Sequence, residues 1–477
     1  MRINCELSFK ALRKLTLAIA TFCVLIQCSE DLQISPEVAP ETENPDRFPE
    51  TISTEVSACK DCTFVVPADS AVIDGKVLFL PPGSTICLSN MIQYGTLEFR
   101  NIVGTEDRPI VIKNCGGTAN IRATSKWYAL KTSKCKYFRI TGGSLPGDYG
   151  INIQGGIMGM TLEFLSTNFE VDHVEVSNVD FAGIMAKTDP SCNDSTIRGN
   201  FTMYNVSLHH NYVHETGGEG FYVGNSFFDG MQRPCGTRLP HEIKGLKIFN
   251  NTIENSGWEA IQVGCAREGT EIYNNSIENY GVANKQYQNN GIQIGSGTGG
   301  LLYNNFIKKG FGNGMIIMGT GDNVIYNNII VDAGDNGIFC DERFTPGEGF
   351  KFINNTILNP RLDGIRLYAE KVPMNTIVNN IISNPGTYGS YPAPRGTQDA
   401  FVYLETSAVK VDMSNNLFVT AVETVKFLDP LLDNYRLTLG SPAVNLGKDI
   451  SPLKITHDFY QSSRLNGDAY DIGASEY

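Results

Sequence analysis

No nucleophile elbow, phosphate loop, zinc motif or dinucleotide fingerprint occurs in this 477-residue chain, so the usual signatures of serine hydrolases, nucleotide-dependent enzymes and zinc enzymes are missing. Basic charge is also short: 38 Lys and Arg face 51 Asp and Glu, for a net charge of −13. That balance argues against nucleic acid as a partner. It also weighs against a highly anionic polysaccharide, unless a cation or a local basic cluster offsets the field. The one long apolar run, LTLAIATFCVLIQ after Arg13 and Lys14, is too short to span a membrane and reads as an export signal. Helical apolar spacing is absent from the most regular stretch of the chain.

What fills that stretch is a repeat. Between residues 246 and 380 a phrase with tandem asparagine returns as IFNNTIEN, IYNNSIEN, LLYNNFIK, VIYNNIIV, FINNTILN and TIVNNIIS. The pairs begin at Asn250, Asn274, Asn304, Asn327, Asn354 and Asn379, a period of 23 to 30 residues. A second phrase follows each of the first five: EAIQVG, NGIQIG, NGMIIM, NGIFCD and DGIRLY. This period marks a stacked β-solenoid with two short alternating strands per repeat, separated by Gly- and Asn-rich turns. Ile248 and Ile253 are expected to point inward, and Asn251 to sit at the bend. Asparagine tolerates the left-handed backbone of such a turn. Stacked at the parallel-strand spacing of roughly 4.8 Å, the asparagines can form an internal amide ladder.

The repeats resemble the right-handed parallel β-helix family, and GTEDRPIVI near the start and NYRLTLGSPAVNLG…DIGASEY at the end resemble the early coils and capping segment of secreted bacterial β-helix proteins. The resemblance covers nearly the whole mature chain. It implies an all-β, single-domain fold with a C-terminal cap, right-handed also by the general crossover rule. The expected bounds are a signal over 1–28, a Pro- and Glu-rich tether over 29–55, the β-helix over 56–428 and the cap over 429–477. A cap is physically required, because an open solenoid end exposes core and unpaired strand edges. Leu25-Ile26-Gln27-Cys28 resembles a bacterial lipobox, with Gln an uncommon residue before the cysteine. Ser29-Glu30-Asp31 resembles the surface-export signal of Bacteroidetes lipoproteins. Together they imply a lipid on Cys28, an outer-membrane protein facing outwards and no other membrane contact; the alternative is a plain cleaved signal.

Twelve cysteines occur, three of them (Cys5, Cys23 and Cys28) in the signal. Cys59-x-x-Cys62 has no second CxxC and lies in an exported protein, so a local disulfide at the solenoid's cap is expected. Cys87, Cys115 and Cys135 each end or follow a strand-like run and are expected to be buried packing residues. Cys192 and Cys235 flank irregular insertions and could be bridged.

The regularity breaks between 180 and 235, and there the chemistry-bearing residues gather. Aligning the coils places His210-Asn211 over Asn250-Asn251 and Glu219 over Glu259, 40 residues apart in both cases. The same column continues as Asn290, Asn313, Asn336 and Asp363. Two carboxylates on adjacent coils lie roughly 5 Å apart by strand spacing, and like charges that close raise one pKa, which suits acid/base work. The column is equally a turn position that accepts any Asn, Asp or Glu. Lys187 aligns above Gly224 and Gly264, with open space expected beneath it and Asp189 in the same turn. It is expected to act as base or to neutralise a uronic carboxylate; a solvated turn residue would look the same. His214, at the mouth of the Gly217-Gly218 turn, is the candidate proton partner of Glu219, whereas His210 substitutes into the asparagine column and reads as structural. Outward positions of the second phrase run Met185, Tyr222, Gln262, Gln293, Ile316, Phe339 and Arg366. Tyr222 offers a ring face for a sugar, Gln262 and Gln293 offer paired amides, and Arg366 a cation. Further on, Asp341, Glu342 and Arg343 form a cluster that could hold Ca²⁺ through oxygen ligands or could be solvated loop charge.

Three functions remain open. The resemblance implies a carbohydrate-active enzyme acting on a polysaccharide, either a glycoside hydrolase, which needs two carboxylates, or a cation-assisted lyase, which needs a base and a neutralising charge. A non-catalytic glycan-binding lipoprotein would use the same face. A structural or adhesive solenoid would have uniform coils, and the insertions count against it. A monomer is expected.

Overall fold

In the first sheet, Ile248 stacks on Leu208 above and Ile272 below, each in parallel register with its neighbour. The computed structural model describes residues 59–143, 149–342, 346–386 and 401–477. The expected signal with Cys28, the tether, Arg343 and most of the Pro-, Gly- and Tyr-rich loop before residue 401 lie outside the described residues. Three parallel sheets run the length of the unit: a first of 14 strands and a second and third of 12 each. The fold is a right-handed parallel β-helix, and among the described residues it is all-β apart from one four-residue α-helix, Gly75–Leu78, and a few short 3-10 turns.

Each coil carries three strands rather than the expected two. In the coil of IFNNTIEN, Glu242–Phe249 belongs to the first sheet, Thr252–Ser256 to the second and Ile261–Val263 to the third. The asparagine pair supplies the missing corner. Its first member is left-handed throughout, with φ of 54° at Asn250, 54° at Asn274, 53° at Asn304 and 54° at Asn327. Its second member turns inward and forms the ladder. The side-chain amide of Asn211 donates to Asn251 over 3.0 Å, Asn251 to Asn275 over 3.0 Å, Asn275 to Asn305 over 2.9 Å and Asn305 to Asn328 over 3.0 Å. The chain continues through Asn355 and Asn380 to Asn416. Every link satisfies a buried polar group that the turn would otherwise leave unpaired.

Inside, alternate residues of all three sheets make one continuous apolar column. Ile248 and Ile253 are buried as expected, and Ile261, Ile292, Met315, Ile338 and Ile365 stack in register in the third sheet. Outside the first sheet, the rings of Phe249, Tyr273, Tyr303 and Tyr326 stack with centroids 4.8 Å apart, which is the strand spacing itself.

The cysteines correct two expectations. Cys59 bonds Cys115 and Cys62 bonds Cys87, so neither a local Cys59–Cys62 bridge nor free packing thiols at Cys87 and Cys115 exist. Cys87 lies in the middle of the first-sheet strand Thr85–Ser89 and Cys115 ends the adjacent strand Ile110–Cys115, so each cysteine of the opening segment meets a different coil. Cys135 remains a buried thiol, and Cys192 bonds Cys235.

The last parallel strands are Val411–Ser414 and Leu417–Val419, followed by an antiparallel hairpin of Phe427–Asp429 and Asn434–Leu437. The chain then runs back along the outside of the asparagine corner. Lys448 bonds Asn379, Asp471 and Gly473 accept from Asn354, and His457 accepts from Asn327. Arg464, almost wholly buried, pairs with Glu476 at 2.9 Å and donates to Asn327 at 2.6 Å.

Candidate functional site

The irregular coils hold one wall of the third sheet in place. The insertion after Lys187 is tied to the next coil's insertion by Cys192–Cys235 and by Arg233 and Arg238, which donate to the carbonyls of Pro190 and Ser191 at 2.8 and 3.0 Å. Such bracing positions side chains that a loose loop would leave free to wander.

Beside this wall the outward ladder follows the expected order: Met185, Tyr222, Gln262, Gln293, Ile316, Phe339, Arg366 and then Tyr403 are successive rungs. Three of them form a hydrogen-bond chain. The Gln293 amide donates to Gln262 at 2.9 Å, Gln262 donates to Ser226 Oγ at 2.8 Å, and Ser226 lies 3.1 Å from the Tyr222 hydroxyl. Lys187 Nζ sits 4.4 Å from the Tyr222 ring centroid and 3.0 Å from Asp189. One expectation changes here. Tyr222 is only 8% exposed and packs with Met158, Ala182 and Met185, its ring capped by the lysine, so it offers a hydroxyl edge rather than a ring face. Gly224, in the register below Lys187, must be glycine, because a side-chain carbon there would collide with the Gly264 carbonyl. Arg366, three rungs below Gln293, is held by Asp363 at 3.3 Å and Tyr368 at 2.8 Å.

Glu219 and Glu259 do stack, one coil apart, since Gly220 N–H donates to the Glu259 carbonyl. Their column continues inward-facing: Asn290 donates to Glu259 at 3.0 Å, Asn313 to Asn290 at 2.8 Å and Asn336 to Asn313 at 2.7 Å. The two acids therefore cap a second amide ladder. Glu219 is 1% exposed and Glu259 0%, and one oxygen of each, Oε2, is buried without a partner. Burial pushes the Glu219 carboxyl up to about 7, against a bond from its own backbone N–H and the charges of Lys187 and Lys285. Burial and then the neighbouring Glu219 charge push Glu259 up to about 8. A pair so placed keeps a proton near neutral pH, the arrangement that two close carboxyls in low dielectric are driven to.

His214 does not join them. It stands on the second sheet, stacked on Tyr212 at 4.1 Å, with its two ring nitrogens engaged by Glu175 at 3.2 Å and by Glu215. The strand that carries it ends at Thr216, before the turn that presents Glu219. Asp341 and Glu342 are both buried, and Glu342 pairs with Lys371 at 3.2 Å, so a lysine already supplies positive charge at that cluster.

One cluster leaves almost no trace in the sequence. At the corner of the first and second sheets, Arg139 Nε lies 2.7 Å from Asp172 and 3.1 Å from Glu170. Asp172 also meets His173 at 2.6 Å, and Glu170 meets His209 at 3.0 Å. His209 contacts His210 at 2.7 Å, and His210 stacks on His173 at 5.2 Å. Burial would raise the Asp172 carboxyl, but the bonds from Arg139, His173 and Thr141 outweigh it and hold it below the usual range. His210 is held down by burial and by the neighbouring His209 and His173. Glu170, Asp172 and His209 have the atom types and closeness of a metal site, yet Arg139 already takes the cation's place between the carboxylates. The only sequence signal is His209-His210; the long offsets to Asp172 and His173 on the preceding coil hide the rest.

The sequence profile for a right handed beta helix region matches residues 241–418, the most regular coils. No sequence among the curated proteins matches the chain. Similar solved structures include pectate lyase Pel9A, at 13% identity over 87% of this chain and 96% of that one with a TM-score of 0.48. An alginate lyase from Paenibacillus sp. str. FPU-7 is 14% identical over 63% and 98% with a TM-score of 0.37. The GH136 lacto-N-biosidase from Eubacterium ramulus is 13% identical over 72% and 63% with a TM-score of 0.42. At such identities these are likenesses of fold alone.

Proposed function

We propose that this protein is a carbohydrate-active β-helix that seats an extended polysaccharide along the outward face of the third sheet and cleaves it, as a lyase or hydrolase, at the coils of Lys187, Glu219 and Glu259. The observation that carries this reading is the chain Tyr222–Ser226–Gln262–Gln293, which runs over successive coils under the braced wall. Amides and hydroxyls donate and accept alike. A row of them at strand spacing suits the repeated hydroxyls of a glycan lying along the stack, with Arg366 further down the same face. Lys187 supplies the positive charge near the reacting bond, and the Glu219–Glu259 pair holds the proton. Calcium at Asp341 and Glu342 would be an accessory to this site, not part of it.

A binding protein without catalysis is the second reading, and the burial of both glutamates favours it, since neither carboxyl reaches the face as it stands. A product screen on plant, algal and host polysaccharides separates the two: unsaturated ends appear for a lyase, new reducing ends for a hydrolase. Binding without either supports the second reading, and neither binding nor turnover removes both.

In this reading the site stands outside the cell, with Cys28 carrying the lipid of an outer-membrane lipoprotein. Cys28→Ala should move the protein from the membrane fraction to the soluble one. A mutant that stays membrane-bound, with a wild type that takes up no lipid label, rejects the anchor.

A further inference from the structure

The corner between the second and third sheets carries a loop that the neighbouring coils lack. Residues 217–220, 257–260 and 311–314 join the two sheets in those coils, whereas here the link runs over 279–291. The start of the loop is tied to the coil of Glu259: Gly281, Val282 and Ala283 N–H groups donate to the carbonyls of Trp258, Ser256 and Gly257. Two turns then close it, Asn284 N–H donating to the Gly281 carbonyl and Gln288 N–H to that of Lys285. A loop held in this way presents Lys285 from a defined place.

Lys285 is exposed, and its Nζ lies 3.5 Å from the centre of the half-buried Trp258 ring. Among the described residues no carboxylate pairs with it, and a ring attracts a cation without cancelling its charge. Trp258 meets Phe181 edge-on at 5.2 Å, and Phe181 meets Tyr222 edge-on at 6.2 Å. One chain of rings therefore leads from the loop to the Tyr222 rung of the third-sheet face, where Lys187 stands 4.4 Å from the ring. The two lysines come from opposite edges of that face. Lys187 follows the strand Ile184–Ala186, while Lys285 belongs to the corner that precedes the third-sheet strands. Both charges act on Glu219, so both stand close to the acid pair. Lys187 is engaged by Asp189 at 3.0 Å; Lys285 is held by a ring alone. A glycan on this face passes between two cations. A neutral chain gains little from them, whereas a carboxylate or sulfate gains a charge-assisted bond. The net charge of −13 repels an acidic polymer from the molecule as a whole, so a local pair of cations is what such a polymer requires.

We infer that Lys285, carried on Trp258 by the 279–291 loop, is a specificity-determining residue of the third-sheet face and selects an acidic polysaccharide, one with a carboxylate or sulfate on its sugars. The inference rests on the reading of that face as the glycan site.

Isothermal titration of the mature protein with hexasaccharides tests this. Hexagalacturonate and hexamannuronate carry carboxylates, a sulfated galactan hexasaccharide carries sulfates, and cellohexaose and mannohexaose are neutral. At least one acidic chain should bind, more tightly than either neutral one, and its affinity should fall as salt rises. Response to the carboxylates alone or to the sulfates alone identifies the acidic group. Lys285→Gln removes the charge and should weaken binding of that chain by about threefold or more, the scale of one exposed ion pair, with neutral affinity and melting temperature unchanged. Lys285→Arg should keep the wild-type affinity. Equal acidic affinity in wild type and Lys285→Gln overturns the inference and leaves the third-sheet reading standing, and so does a preference for neutral chains. Loss of both classes alike, with a lowered melting temperature, makes the lysine structural and also overturns it. Silence from every hexasaccharide overturns the inference and the third-sheet reading together.

Discussion

Asn290 donates to Glu259 across 3.0 Å, and at that joint a ladder of amides becomes a pair of acids. The joint makes stability depend on pH. Both carboxyls titrate higher in the folded chain, near 7 for Glu219 and near 8 for Glu259, than the ordinary glutamate value of 4.5. For an acid with a raised folded pKa, the native state holds more protons than the unfolded state between the two values. Stability is therefore full below about 4.5 and falls as pH rises through 7 to 8. The loss is on the order of 3 kcal/mol for one such group. Melting temperature measured across that range should fall in wild type, and Glu259→Gln should flatten the fall, because a neutral amide continues the ladder. A flat wild-type curve would show that the pair is ionised at little cost.

The first ladder gives a second prediction. Asn305 Oδ1 accepts from the backbone N–H and the side-chain amide of Asn275, and Asn305 donates to Asn328 and to the Ile272 carbonyl. Asn305→Leu keeps the bulk and strands these partners in a buried turn, at about 1–3 kcal/mol. Denaturant unfolding should show the loss. A neutral result would mean that the turn reaches water.

The crossed disulfides give a third. Cys59–Cys115 and Cys62–Cys87 close separations of 56 and 25 residues, a length at which a bridge stabilises by about 2–4 kcal/mol. Peptide mapping without reductant should recover these two pairs, and Cys62→Ser should lower stability while freeing Cys87 to alkylation. Recovery of a Cys59–Cys62 peptide would reverse the assignment.

How much of the fold and site is legible in the chain follows from where repetition holds. Wherever asparagine pairs recur, register can be counted, so the inward Ile248 and Ile253, the column from Glu219 to Asp363 and the outward rungs from Met185 to Arg366 are readable from the residues alone. The third strand of each coil is hidden because Asn250 turns the backbone within what looks like one continuous phrase. The disulfides elude a linear reading because pairing is decided by stacking: Cys87 and Cys115 stand one coil apart in space though 28 residues apart in sequence. Side-chain direction is the other gap. Column alignment puts His214 close to Glu219 in sequence, but the strand and the turn present them to different surroundings. Arg139, Asp172 and His173 give no local pattern at all.

The third-sheet site is tested by separating charge from shape. Lys187 lies over Tyr222 and beside Asp189, and Glu219 feels its charge. Lys187→Ala should therefore weaken binding of an anionic glycan more than that of a neutral one. Glu219→Gln keeps the side chain's size and removes only its proton chemistry, so turnover should vanish while glycan affinity stays near wild type and the melting temperature does not fall. Gln262→Ala breaks the chain between Ser226 and Gln293 and should raise KM with little change in kcat, because those contacts hold substrate and transition state alike. Turnover that survives in both Glu219→Gln and Glu259→Gln would make the acid pair structural. Affinity that survives in Gln262→Ala and Lys187→Ala together would move the glycan off this face.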